Sequence, residues 1–116
     1  MKIRGLVKKF GQKTAVDGVN LTMYNGQIFA LLGHNGAGKT TTISMLTGLI
    51  EANAGCAEVF GIDIFNDMDS MRSILGVCPQ HDVLFEFLTA EDHLRLFAAF
   101  KGTHDDLIED QVKSML

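Results

Sequence analysis

With 116 residues, 47% hydrophobic and 21% charged, the chain has the length and composition of one small globular domain with a core of its own. Lys and Arg number 10 against 14 Asp and Glu, and this net charge of −4 argues against a strongly basic nucleic-acid binder while leaving local phosphate binding open. No apolar run reaches the ~20 residues that span a bilayer, and the opening MKIRGLVKKF breaks up too soon for a signal peptide.

In chain order, residues 3–7 and 19–24 read as short strands, and Asn25-Gly26 as a hairpin turn, since both residues tolerate positive φ. Ile28–Leu32 (IFALL) is apolar without interruption, which predicts a strand covered on both faces, as in a parallel sheet. Residues 33–38 form a glycine-rich loop and 39–47 a helix stopped by Gly48. Ala57–Phe60 reads as a strand with Gly55 and Gly61 as turns, Asp67–Ser73 as a helix, and Ile74–Cys78 as a short buried strand. Thr89 is placed as an N-cap, with Asp92 at the reciprocal capping position of a helix that runs to about Phe100, before Gly102. A last helix starts near Asp105 with acids in its first turn, as the helix dipole favours, and puts Ile108, Val112, Met115 and Leu116 on one face. It reaches Leu116 without a polar or glycine stop, which predicts a chain cut inside an element.

Charge is unevenly distributed. Asp17 is the only acid in residues 1–50, beside Lys2, Arg4, Lys8, Lys9, Lys13 and Lys39, so an anion site belongs in the first half. Cys56 and Cys78 form no CxxC and read as reduced thiols, and His34, His81, His93 and His104 have no metal-ligand spacing with them.

Gly33-His34-Asn35-Gly36-Ala37-Gly38-Lys39-Thr40 matches GxxxxGK[ST], between an apolar run and a helix. A triphosphate needs many donors aimed at one point; glycines let the backbone curl close enough to supply them, and the helix start adds free N–H groups and a positive end. Lys39 brings a mobile charge for the β and γ phosphates, the Thr40 hydroxyl a ligand for Mg²⁺, and Thr41 a donor for the α-phosphate. His34 occupies a variable position and reads as a bystander.

GHNGAGKTTTISMLTGL followed by GVCPQHDVLFEFLTAEDHL closely resembles the nucleotide-binding domain of ABC transporters, and MYNGQIFALLGHNGAGKTTTISMLTGL with CPQHDVLF is most similar to subfamily A, the lipid exporters. The resemblance covers essentially the whole chain and implies an α/β fold: a P-loop NTPase core with N-terminal antiparallel β-hairpin elements, here residues 1–116 of a partial domain holding the A-loop, Walker A and Q-loop. It implies ATP and Mg²⁺ as cofactors, bound by Gly33, Asn35, Gly36, Ala37, Gly38, Lys39, Thr40 and Thr41. Phe10, 29 positions before Lys39, falls where the family places an aromatic that stacks on adenine, and a flat apolar ring suits a purine face. Val16 would lie beside the base. Gln80 matches the Q-loop glutamine, which reaches Mg²⁺ and the attacking water; a neutral amide can both donate and accept there. Phe85 and Phe87, just after it, match the region that receives a coupling helix from the transmembrane domain.

The resemblance also implies a second ATP-binding domain as partner, no nucleic acid, and a place on the cytoplasmic face of a membrane, with transport of lipid as the activity of the intact protein. Within the 116 residues there is no LSGGQ-type signature, no Walker B strand with its catalytic glutamate, no D-loop and no switch histidine. The expectation is therefore weak ATP binding at best and no turnover by this chain, and marginal stability, because an IFALL strand without its neighbours leaves an open apolar edge. Asn53-Ala54-Gly55-Cys56 replaces the family's usual proline- and threonine-containing turn. A soluble ABC-type ATPase without membrane spans is the main alternative. A pseudo-domain that binds no nucleotide is disfavoured by the intact Lys39 and Thr40, and a GTPase by the lack of an NKxD-type motif.

Overall fold

Ile3 and Leu6 are both buried, although residues three apart on a regular strand face opposite ways. The chain resolves this with a bulge. Strand β1 (Lys2–Phe10) pairs antiparallel with β2 (Lys13–Thr22), and the register slips between Ile3 and Leu6, where Gly5 takes φ +57°. Gly11 and Gln12 close the hairpin, with Phe10 opposite Lys13. The hairpin therefore forms at Gly11, not at Asn25-Gly26, where the chain turns without joining two strands.

The computed structural model describes residues 1–116, which divide into two compact units, Met1–Gly76 and Val77–Leu116. In the first, β3 (Ala54–Val59) runs antiparallel along the other edge of β1, and β4 (Ile62–Asp63) returns beside it, giving the order β2-β1-β3-β4. Helix α1 (Lys39–Leu46) and helix α2 (Met68–Ile74) complete the unit, and Met45, Leu46, Ile64 and Met71 join Ile3, Leu6, Val16, Ala57 and Val59 in one core. Gly55 is not a turn residue as expected but sits inside β3 at φ +94°, and a Cβ there would lie 2.5 Å from the Gly5 carbonyl oxygen, so only glycine permits the approach. Asn53 seats the start of β3 on β1: its N–H donates to the Val7 carbonyl (2.9 Å), and its Oδ1 accepts from the Lys9 N–H (2.7 Å).

Three of the helices have an end that their sequence directs. At the end of α1 the Leu49 N–H reaches the Ser44 carbonyl and the Gly48 N–H that of Met45, the paired bonds of a glycine-terminated helix. Asp67 caps α2 through the Ser70 N–H. In the second unit, α3 (Ala90–Phe100) begins with a reciprocal box, in which the Thr89 hydroxyl accepts from the Asp92 N–H and the Asp92 carboxylate accepts from the Thr89 N–H. Helix α4 (Asp105–Met115) packs on α3 through buried Val112, and Arg95 forks onto Glu109 at 2.7 and 3.1 Å. Of the face expected on α4, Ile108 is half-buried, while Met115 and Leu116 are exposed.

Two expected strands do not form. Residues 28–32 and 75–78 join no sheet; Ile74 closes α2, the Leu75 N–H donates to the Met71 carbonyl (3.0 Å), and Ile28 and Leu32 are almost wholly exposed. The reason is hydrogen bonding. A strand buried on both faces is held by ladders along both edges, and the only sheet here is the antiparallel one built by β1–β4.

Candidate functional site

The loop of residues 33–38 ends in a left-handed Gly38 (φ +88°) that serves as the N-cap residue of α1. A Cβ at Gly38 would lie 2.5 Å from the Ala15 carbonyl oxygen and 3.2 Å from Val16 Cγ2, so the end of the loop is pressed against β2. Gly33 is similarly close-set, with a hypothetical Cβ 3.2 Å from that of Ala37. Gly36 (φ +85°) faces open space.

The electrostatics favour an anion at the start of α1. No side chain caps its first turn and no acid lies in it, whereas α2, α3 and α4 each carry acids there. Uncapped amide donors and the positive end of the helix dipole are thus left for a ligand. Lys39 folds back across the loop, its Nζ donating to the carbonyls of Gly33 (2.6 Å) and His34 (2.9 Å). An ammonium held by carbonyl oxygens in this way has the chemistry to hold phosphate oxygens instead. His34 turns onto its own loop through Nδ1 and the Asn35 carbonyl (2.9 Å). Asn35 and Ala37 are exposed on the loop, and the Ala37 N–H closes it onto the His34 carbonyl (3.1 Å).

The three consecutive threonines differ in use. Thr42 is buried and bonds its hydroxyl to the Gly38 carbonyl, a structural role. Thr41 is half-buried, and Thr40 is exposed. No three His, Cys, Asp or Glu side chains cluster closely enough to hold a metal unaided. Exposed Thr40 is the hydroxyl that the loop motif offers to a cation such as Mg²⁺, which keeps several waters and binds through substrate phosphates.

Phe10 lies half-exposed at the end of β1, and Val16 is buried behind Gly38. These two and residues 33–41 all belong to the first unit; Gln80 belongs to the second, exposed in a bend at Gln80-His81. A cavity of about 470 Å³ between the end of α1 and the start of β3 uses no residue of the 33–38 loop.

Phe85 and Phe87 are both exposed, so neither is core. Phe85 stacks on His93 at 6.0 Å between ring centres and helps line an apolar groove of about 790 Å³ with Leu84, Leu88, Leu94 and Phe97. His93, which no sequence motif singles out, is the buried anchor of this segment. Its Nε2 accepts from the Phe85 N–H (2.8 Å), which leaves Nδ1 to donate to the Thr89 carbonyl (2.8 Å). Its spacing from Thr89 in the capped turn was the only available signal.

The ABC transporter family profile matches residues 16–116. The chain is 54% identical over 102 residues to the glucosylceramide transporter ABCA12 of Mus musculus, covering 88% of this chain and 4% of that protein. It is 50% identical over 120 residues to the phospholipid-transporting ATPase ABCA3 of Homo sapiens, covering 100% and 7%. It is 45% identical over 116 residues to the retinal-specific phospholipid-transporting ATPase ABCA4 of Homo sapiens, covering 98% and 5%. Among solved structures, the ATP binding subunit of an ABC transporter superposes with a TM-score of 0.79 at 31% identity, covering 90% of this chain and 44% of that one. A dimeric bacterial ABC transporter cassette gives 0.78 at 26%, covering 97% and 52%. The chain therefore spans 4–7% of the length of these curated relatives and about half of the solved chains. No helix is long and apolar enough to cross a membrane. With its glycine loop seated on β2 and its motifs matched from residue 16 to residue 116, the chain belongs to the ABC transporter family.

Proposed function

We propose that this chain is the nucleotide-binding part of a lipid transporter. ATP sits on residues 33–41, with its phosphates against the loop amides, the start of α1 and Lys39. Mg²⁺ is held at Thr40, the adenine stacks on Phe10 beside Val16, and Gln80, in the second unit, is the glutamine of the Q-loop. The observation that carries this reading is the uncapped, acid-free start of α1 beneath a lysine that already bridges two loop carbonyls. Lipid as the cargo is supported by the names of the relatives, a glucosylceramide transporter and phospholipid-transporting ATPases.

The exposed segment 83–88 and its apolar groove suit a coupling helix from a transmembrane domain, with Phe85 and Phe87 as its contacts. A second ATP-binding domain would close over the nucleotide, on the cytoplasmic face of the membrane. Hydrolysis needs a base to orient water, and the family's catalytic glutamate is not among these residues. The chain therefore binds nucleotide without turning it over. Equilibrium titration with Mg-ATP tests this: saturable binding that weakens about tenfold or more in Lys39→Ala is expected. Equal binding by both proteins, or robust turnover dependent on Lys39, contradicts the proposal.

A further inference from the structure

Lys8 and Phe10 are alternate residues of β1 and so share a face of the strand. The Lys8 ammonium stands over the Phe10 ring, 5.2 Å from its centroid. The same nitrogen donates a 2.6 Å hydrogen bond to the Glu51 carbonyl, on the connection between α1 and β3. That connection is itself pinned to β1 by the two bonds of Asn53 to Val7 and Lys9. The ammonium is thus held between a ring and a carbonyl fixed on a separate segment, and about half of the Phe10 surface, 52%, stays open.

From this geometry we infer that Lys8 is a positioning residue for nucleotide-base binding. It closes one face of Phe10, fixes the ring's orientation and leaves the opposite face to a flat heterocycle. A cation on one face of an aromatic ring is held by the ring quadrupole, and a ring fixed before binding loses less freedom when the base arrives. Lys8 touches no ligand atom in this scheme, and its effect is confined to the base and absent for the phosphates. The inference rests on Phe10 as the base platform.

The test compares ATP with inorganic tripolyphosphate, a ligand with phosphates but no base, on the parent chain and on Lys8→Met, Lys8→Arg and Phe10→Ala. Methionine keeps most of the aliphatic stem and loses the charge, while arginine keeps a cation. Lys8→Met is expected to weaken ATP about two- to fivefold, leave tripolyphosphate unchanged and keep the parent circular dichroism spectrum, and Lys8→Arg to retain ATP affinity. If Phe10→Ala loses ATP selectively and Lys8→Met does not, the Lys8 proposal is wrong and the base platform stands. If the two ligands weaken equally in Lys8→Met, Lys8 acts on the fold or the phosphates and the proposal also fails. If Phe10→Ala changes neither ligand, or the parent binds neither, the base platform fails and takes the Lys8 proposal with it.

Discussion

Gly38 carries two constraints at once. Its left-handed φ of +88° disfavours any side chain, and the Ala15 carbonyl oxygen stands 2.5 Å from where a Cβ would be. Strain of this kind costs on the order of 1–3 kcal/mol before the clash is counted. Gly38→Ala should therefore lower the melting temperature and weaken ATP binding together, by pushing the loop off β2. Gly36→Ala offers the comparison: its φ is also positive, but a Cβ there meets open space, so it should perturb stability less. Melting of the two variants side by side checks this, and an equal loss in both would show that contact with β2 is unimportant. The motif announced these glycines from the sequence, but not which neighbour each one must avoid. That depends on β2 passing beneath the loop, a tertiary fact with no local signature.

Helices were the most legible elements, because their starts and stops are written in single residues. Thr89 with Asp92, Gly48 and Gly102 each act where expected, through bonds to their own segment. Strands were less legible, because a strand is completed by what lies beside it. Residues 28–32 have the composition of a buried strand and no partner among β1–β4. The hairpin at Gly11 has no clear signal in the sequence, because bulges interrupt the alternation of β1 and β2. The bonds of the second unit give two expectations. The Thr89 hydroxyl and N–H hold the Asp92 carboxyl below its usual value of 3.8, and the Arg95 fork holds that of Glu109 below 4.5. Since folding lowers both, their stabilisation is full above those values and is lost as pH falls through the depressed ones. Helicity of α3 and α4 should thus decline on the acid side, and Glu109→Gln should flatten that decline at the cost of lower stability at neutral pH. An acid titration followed by circular dichroism would show an unchanged slope if the Arg95–Glu109 fork contributed nothing. In His93→Phe the acceptor for the Phe85 N–H is lost, so that amide should exchange hydrogen faster, with α3 retained; an unchanged exchange rate would deny the anchoring role.

At the scale of the whole chain, the fold is limited by exposed apolar surface rather than by its core. Ile28, Phe29, Leu31 and Leu32 stand open on a segment with unpaired backbone groups, a template for association with other chains. Ile28→Asp should raise the concentration at which light scattering appears without altering the β1–β4 sheet. If the variant aggregated as readily as the parent, the source would lie elsewhere, with the groove around Phe85 and Phe97 the next surface to change.

The lysine folded over the glycine loop has a calorimetric consequence. Before any nucleotide arrives, the Lys39 ammonium already holds two carbonyl partners. Binding exchanges these for phosphate oxygens, so the number of bonds at this nitrogen changes little, and the heat released there is a difference between two similar terms. The loop is also partly ordered in advance, which reduces the entropy lost on association. Cutting the strap with Lys39→Ala therefore removes a phosphate contact and loosens the receptor at the same time. The affinity lost in that variant is the net of the phosphate contact, the carbonyl bonds given up for it and the loss of loop order, and is not the strength of the lysine–phosphate contact alone.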